Sequence, residues 1–411
     1  MIAPTSVPPL SLPMRSPRPT PRVPLRPADA RPRFTPDGSR ELEDHLERTC
    51  AKIAAGVCGL VSRRRVDGIL LGGGYGRGEG GVWRTGDGDR PYNDLEFYVF
   101  LRGNRHLNER RFGPALHVLG EILTPQAGVE VEFKIASLRE LEAGPISMFS
   151  YDLVMGNQRF AGRDNLLAGC RHHREAGQIP LPEATRLLMN RCTGLLLAQE
   201  RLQRATFSAA DADFVRRNIA KAELALGDAV LVVFGRYHWS VRERHHQLQR
   251  LARIEPTPWI EDVVRHHAAG TEFKLHPERS TASRETLRAQ QASLAALARK
   301  VWLWVEGGRL RRALASPREY ALAPLQKCPE LAGLRRALVN LKLLGPRAIA
   351  GREMRRHPRE RILNAMSLLL WEPAALQDQH LRALVQRELR TAASTFDGVM
   401  AAYHQLWSQV N

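Results

Sequence analysis

The sequence predicts an α+β protein: a small α/β unit with helices around a mixed sheet, followed by a large all-helical region. Three observations predict it. Strand-like segments are confined to residues 66–135, and a burst of glycines separates the first from the second. From about residue 181 apolar residues recur with the helical period and strand patterning ceases.

The elements follow in order. Residues 1–36 hold 11 prolines and six arginines against one acid, Asp29. Proline at this density blocks helix and removes sheet donors, so 1–38 is expected to be a disordered tail. Residues 39–63 read as a helix, with Ser39 as cap and apolar positions at Leu42, Leu46, Ile53, Val57 and Leu60. Val66–Leu71 reads as a buried strand. The segment Gly72-Gly-Gly-Tyr-Gly-Arg-Gly-Glu-Gly-Gly81 follows, then a polar loop over 82–92. Asp94–Leu101 is a second strand, 109–124 a helix, and Val129–Ile135 a strictly alternating third strand. Ser137 caps a short helix ending near Gly144. Helical periodicity then covers 183–204, 208–235, 239–253, 258–269, 282–313, 331–345, 358–371 and 377–408. The expected units are a catalytic domain at 39–180, a helical domain at 181–313 covering its cleft, and an Arg-rich helical region at 314–411.

Composition narrows the function classes. No apolar run reaches the ~20 residues of a membrane span, so no membrane partner is expected. Five cysteines without a C-x-x-C spacing argue against a disulfide framework or zinc ribbon and suit a reducing, cytoplasmic setting. The net charge of +18 points to anionic partners. Yet 54 of the 61 basic residues are Arg, which fits a general compositional bias equally well. Segment 331–361, with nine Lys/Arg and two Glu, is a possible nucleic-acid patch, but no Trp or Tyr lies there to stack bases.

The chemistry rests on acids. Gly76-x-Gly78-x-x-Gly81 matches a dinucleotide fingerprint in letters only, because a strand bearing acids follows it instead of a helix. Asp94 and Glu96 stand i, i+2 on a strand and so share a face. Two such carboxylates repel, and a divalent cation held by oxygen ligands removes the penalty. Glu130 and Glu132 repeat the arrangement on the third strand. Carboxylates converging beside a glycine turn describe a two-metal phosphoryl-transfer site, with the turn's N–H groups holding a triphosphate.

These motifs resemble the DNA polymerase β-like nucleotidyltransferase superfamily. Gly73-Gly74-Tyr75-Gly76-Arg77-Gly78-Glu79 is similar to its G-S-x-x-R-G-E stretch, and Tyr92-Asn93-Asp94-Leu95-Glu96 to its S-D-I-D/E stretch. Val129–Phe133 resembles the third-acid strand of kanamycin nucleotidyltransferase-like enzymes. The resemblance covers about residues 41–143. It implies Mg²⁺ or Mn²⁺ on Asp94, Glu96 and Glu130, with Glu132 as the alternative third acid. It implies an NTP, with ATP expected, against Gly73, Gly74, Tyr75 and Arg77, and an NMP passed to a hydroxyl with release of pyrophosphate. The acceptor, whether small molecule, protein or RNA, is not specified. Two departures stand out: Gly74 replaces the usual serine, and the 82–92 connection is long. Alternatives are an RNA-directed terminal transferase and a degenerate nucleotide-binding regulator.

In the helical half, Lys221 and Asp228 stand i, i+7 on one helix, where Lys221 is a candidate phosphate ligand and Asp228 a candidate for a substrate group. Asn190 and Arg191 interrupt an apolar helix and suggest a cleft or interface. The adjacent pairs His172-His173, His245-His246 and His266-His267 point ~100° apart on a helix and are poor chelators.

Overall fold

In the computed structural model, which describes residues 33–329, 334–345, 356–372 and 374–410, a small mixed sheet adjoins a largely helical region. Residues 33–38, which the sequence places in the tail, are packed. Phe34 is buried and stacks on Phe160, and its carbonyl accepts the Gly80 N–H at 3.0 Å. The expected tail 1–38 therefore contributes residues 33–38 to the fold, and residues 1–32 lie outside the described part.

Helix α1 (Arg40–Leu60) is capped by Ser39, whose hydroxyl accepts the Leu42 N–H at 3.3 Å, and buries Leu42, Leu46, Cys50, Ile53 and Val57. The four-stranded sheet runs in the order β5 (Val131–Ala136), β4 (Leu95–Leu101), β1 (Val66–Leu71), β6 (Gln158–Gly162). Strands β1–β4 and β1–β6 are antiparallel, and β4–β5 is parallel. A parallel pair needs a crossover, which α3 (Arg105–Ala127) supplies between Asn104 as N-cap and Gly128 in the left-handed region at φ 73°.

Three expectations are corrected. The polar loop 82–92 contains a hairpin, β2 (Val82–Thr85) with β3 (Gly88–Pro91); Gly and Pro in β3 hide its strand character. The fourth strand, β6, escaped notice because only Phe160 and Ala161 give it apolar substance. Asp94 and Glu130 lie one residue ahead of β4 and β5, at their starts.

Between sheet and helices run α2 (Gly73–Gly76), α4 (Leu138–Ala143) and α5 (Met148–Met155). The helical half follows as α6 (Leu181–Gln203), α7 (Ala209–Val233), α8 (Val241–Ala252), α9 (Ile260–Leu275), α10 (Arg284–Leu310), α11 (Pro317–Leu322), α12 (Leu334–Leu344), α13 (Pro358–Trp371), α14 (Gln379–Leu389) and α15 (Phe396–Val410). The continuous helix expected over 377–408 is two helices, broken at Arg390 in the left-handed region (φ 55°). The two helical regions expected at 181–313 and 314–411 share one buried cluster, running from Leu188 and Leu226 through Trp302 to Met366, Val385 and Tyr403. No described helix is long and apolar enough to cross a membrane.

Candidate functional site

The parallel β4–β5 register places Glu96 beside Glu132 and Tyr98 beside Lys134. Paired positions of parallel strands project to the same side, so these four side chains share one face. Lys134 bridges the two acids, with Nζ 2.9 Å from Glu96 and 3.1 Å from Glu132. The Tyr98 hydroxyl donates to Glu96 at 2.8 Å. Burial pushes the Glu96 carboxyl up, but the Lys134 and Tyr98 bonds outweigh it and hold the group below its usual value. Burial likewise lowers Lys134, and the two glutamates win, keeping it above its usual value.

Asp94 differs. Among the described residues it forms no ion pair and accepts no side-chain hydrogen bond. Burial, then the charges of Glu96 and Glu132, push its carboxyl up. Glu130 is exposed, and its backbone carbonyl accepts the Leu95 N–H at 2.8 Å. Among the described residues no group of three or more His, Cys, Asp or Glu is gathered closely enough to hold a metal ion. The paired histidines instead contact neighbouring side chains: His266 Nδ1 lies 3.1 Å from Glu223, and His267 lies 3.3 Å from Asp228 through Nε2 and 3.3 Å from Thr271 through Nδ1.

The glycine turn lies against Glu96. Gly73 adopts φ +62°, and a Cβ there would stand 2.7 Å from Glu96 Oε1. A Cβ at Gly74 would meet the Glu79 carbonyl at 3.1 Å, so the turn closes over the place where the related motif carries serine. Tyr75 is wholly buried; its hydroxyl donates to the Gly81 carbonyl and accepts the Tyr92 N–H. It braces the loop leading to Asp94, and its side chain does not line the cleft. Arg77 does, and its guanidinium stands 3.5 Å from Asp152.

A cleft of about 1030 Å³ separates this wall from the helices. Asp94, Glu130, Arg77 and Asp152 line it on the sheet side. Asn190 and Arg191 of α6, Arg217, Lys221 and Asp228 of α7, Arg244 of α8 and Lys274 of α9 line it opposite. No family model, curated protein or solved structure matches this chain.

Of the residues singled out in the sequence, Asp94, Glu130, Arg77, Lys221 and the Asn190–Arg191 pair line this cleft, whereas Glu96, Glu132, Gly73, Gly74 and Tyr75 are not among its lining residues. Sequence patterning missed Asp152, Arg217, Arg244 and Lys274. Their signal was weak because each is one charged residue in an otherwise ordinary helix, and only the packing of α5, α7, α8 and α9 aims them together. Arg191, Arg217 and Lys221 form no ion pair among the described residues. Burial, then Arg191 and Arg217, hold the Lys221 amine below its usual value, and nearby Asp94 opposes them. Asp228, expected as a substrate ligand, is instead tied to Arg244 Nη1 and to His267. The described part of the Arg-rich segment is partly internal: Arg356 pairs with buried Glu388 at 2.9 Å. Residues 330–333 and 346–355 of that region lie outside the described chain.

Proposed function

We propose that this chain is a metal-dependent nucleotidyltransferase, moving an NMP from an NTP to an acceptor hydroxyl. The observation that carries this is a charge division across one cleft. Asp94 and Glu130 line it opposite half-buried Arg191 and the more exposed Arg217 and Lys221, three cations that form no ion pair among the described residues. Like charges crowded in this way are costly without an anion, and a polyphosphate with its cation matches both walls.

Asp94 and Glu96 fit one divalent cation. They are hard oxygen donors on neighbouring same-face positions, and Asp94 has no protein cation of its own. A bound Mg²⁺ would neutralise charge on the phosphates. The triphosphate then lies toward Lys221, Arg191 and Arg217. The acceptor oxygen forms a bond to the α-phosphorus as the bond to pyrophosphate breaks, and its proton passes to a carboxylate of the sheet wall. Glu132, at the register position of Glu96, is better placed than Glu130 to complete the acid face. The protein supplies position and electrostatics.

The test is pyrophosphate release from each NTP with Mg²⁺ or Mn²⁺ in the presence of a cell extract, with labelled NTP to find the product. Asp94→Asn is expected to lower the rate on the order of 100-fold or more. Full activity in that variant would refute the assignment. A second reading, nucleotide binding without transfer, is favoured by Lys134, a protein cation seated between Glu96 and Glu132.

A further inference from the structure

The cleft holds two sets of cations with different neighbours. Arg191, Arg217 and Lys221 cluster near Asp94. Lys274, from α9, has Arg77, Arg244, Glu79 and Asp152 as its strongest charged neighbours. These side chains surround Tyr237, whose hydroxyl donates to Asp152 Oδ2 at 3.1 Å and accepts from Arg244 Nη1 at 3.1 Å.

Three features mark this second set as a site awaiting a ligand. Each acid around it already holds at least one protein partner. Asp152 faces Arg77, Asp228 holds Arg244, and Glu79 accepts the Ser240 hydroxyl at 2.6 Å and the Val241 N–H at 2.8 Å. Lys274 itself forms no ion pair or hydrogen bond among the described residues, although it lines the cleft. Polar atoms in the group are buried without partners: Arg77 Nε, Arg244 Nε and Asp152 Oδ1. Burial and then the two guanidinium groups push Lys274 down to about 8. A bound anion would relieve that crowding, and the unpartnered Asp152 Oδ1 would accept a hydroxyl or N–H of the same ligand.

We infer that the cleft contains a second anion subsite, built on Lys274 with Arg77 and Arg244, that receives a phosphate or carboxylate group of the acceptor. The acceptor is therefore an anionic molecule bearing a hydroxyl. Its assignment as acceptor rests on the nucleotidyltransferase reading; the subsite rests on the geometry alone.

The test is calorimetry on the full chain. α,β-Methylene-ATP with Mg²⁺ is titrated first, and inorganic phosphate is then titrated into the saturated complex. Phosphate is expected to bind beside the nucleotide. Lys274→Gln should weaken phosphate at least ~10-fold and leave the nucleotide within about twofold, Lys274→Arg should retain it, and Lys221→Gln should do the reverse of Lys274→Gln. The inference is overturned if nucleotide and phosphate compete for one site, if Lys274→Gln leaves phosphate unchanged, or if spermidine binds there instead. Phosphate binding that needs Lys274, in a protein that binds no nucleotide, would refute the transferase reading and uphold the subsite.

Discussion

Lys134 is the residue on which the proposed activity turns. Its ammonium lies between Glu96 and Glu132, where it quiets both charges and leaves Asp94 as the unneutralised carboxylate of the face. If the protein is a transferase, that ammonium must give way to, or act beside, a divalent cation. Lys134→Ala then strengthens Mg²⁺ binding severalfold, because two carboxylates lose an internal counter-ion. If the protein binds nucleotide without turnover, the same change weakens nucleotide binding and creates no activity. Isothermal titration with Mg²⁺, paired with a pyrophosphate assay, separates the two. The acids themselves were legible in the sequence, since i, i+2 spacing on a strand fixes a shared face. Their engagement with Lys134 was not. Lys134 also lies on that face, two residues after Glu132, but nothing in the one-dimensional pattern says that β4 and β5 are parallel neighbours in this register.

At the scale of elements, the sheet unit is joined to the helices through Glu79. This residue closes the glycine turn, and both of its carboxylate oxygens accept bonds at the start of α8, from Ser240 Oγ and Val241 N. A carboxylate there also suits the positive end of the helix. Glu79→Gln keeps the shape but sets an amide donor against groups that already donate. It is expected to cost about 1–3 kcal/mol in urea denaturation, as for an unsatisfied buried polar group. A loss below a few tenths would show that the contact is incidental. Most elements were legible before their packing. Capping serines, apolar stripes and strict alternation placed the three acid-bearing or core strands and the long helices, but not the short helices α2, α5 and α11. The short strands β2, β3 and β6 were not, because each carries at most two apolar residues among polar residues, Gly or Pro, and forms a strand only where a neighbour supplies the ladder. The break at Arg390 was hidden for a similar reason: a left-handed arginine leaves no mark of the kind that glycine would.

At the scale of the whole molecule, the proposed function calls on the space between two halves. The sheet half contributes carboxylates and the helical half contributes cations, and neither wall alone accounts for a ligand. The net charge of +18 was a poor guide to this. What matters for the proposal is a handful of cations that form no ion pair among the described residues, Arg191, Arg217, Lys221 and Lys274, and that is a property of packing that composition cannot express.

The sheet order also sets a sequence of events in time. Strands β4 and β5 meet across residues 102–130, most of them in α3, so their pairing needs only a local crossover. Strand β6 reaches β1 only after residues 72–157 have been brought into a loop. Closing the longer loop costs more entropy before any contact rewards it, so the edge strand should dock after the acid-bearing pair. Pulse-labelled hydrogen exchange during refolding is expected to protect the amides of Phe97 and Val99 before that of Ala161, and the opposite order would refute it. On this route the carboxylate face is assembled while the edge of the sheet beside β1 is still open, and segments 148–162 then seal it as the last tertiary event of that half.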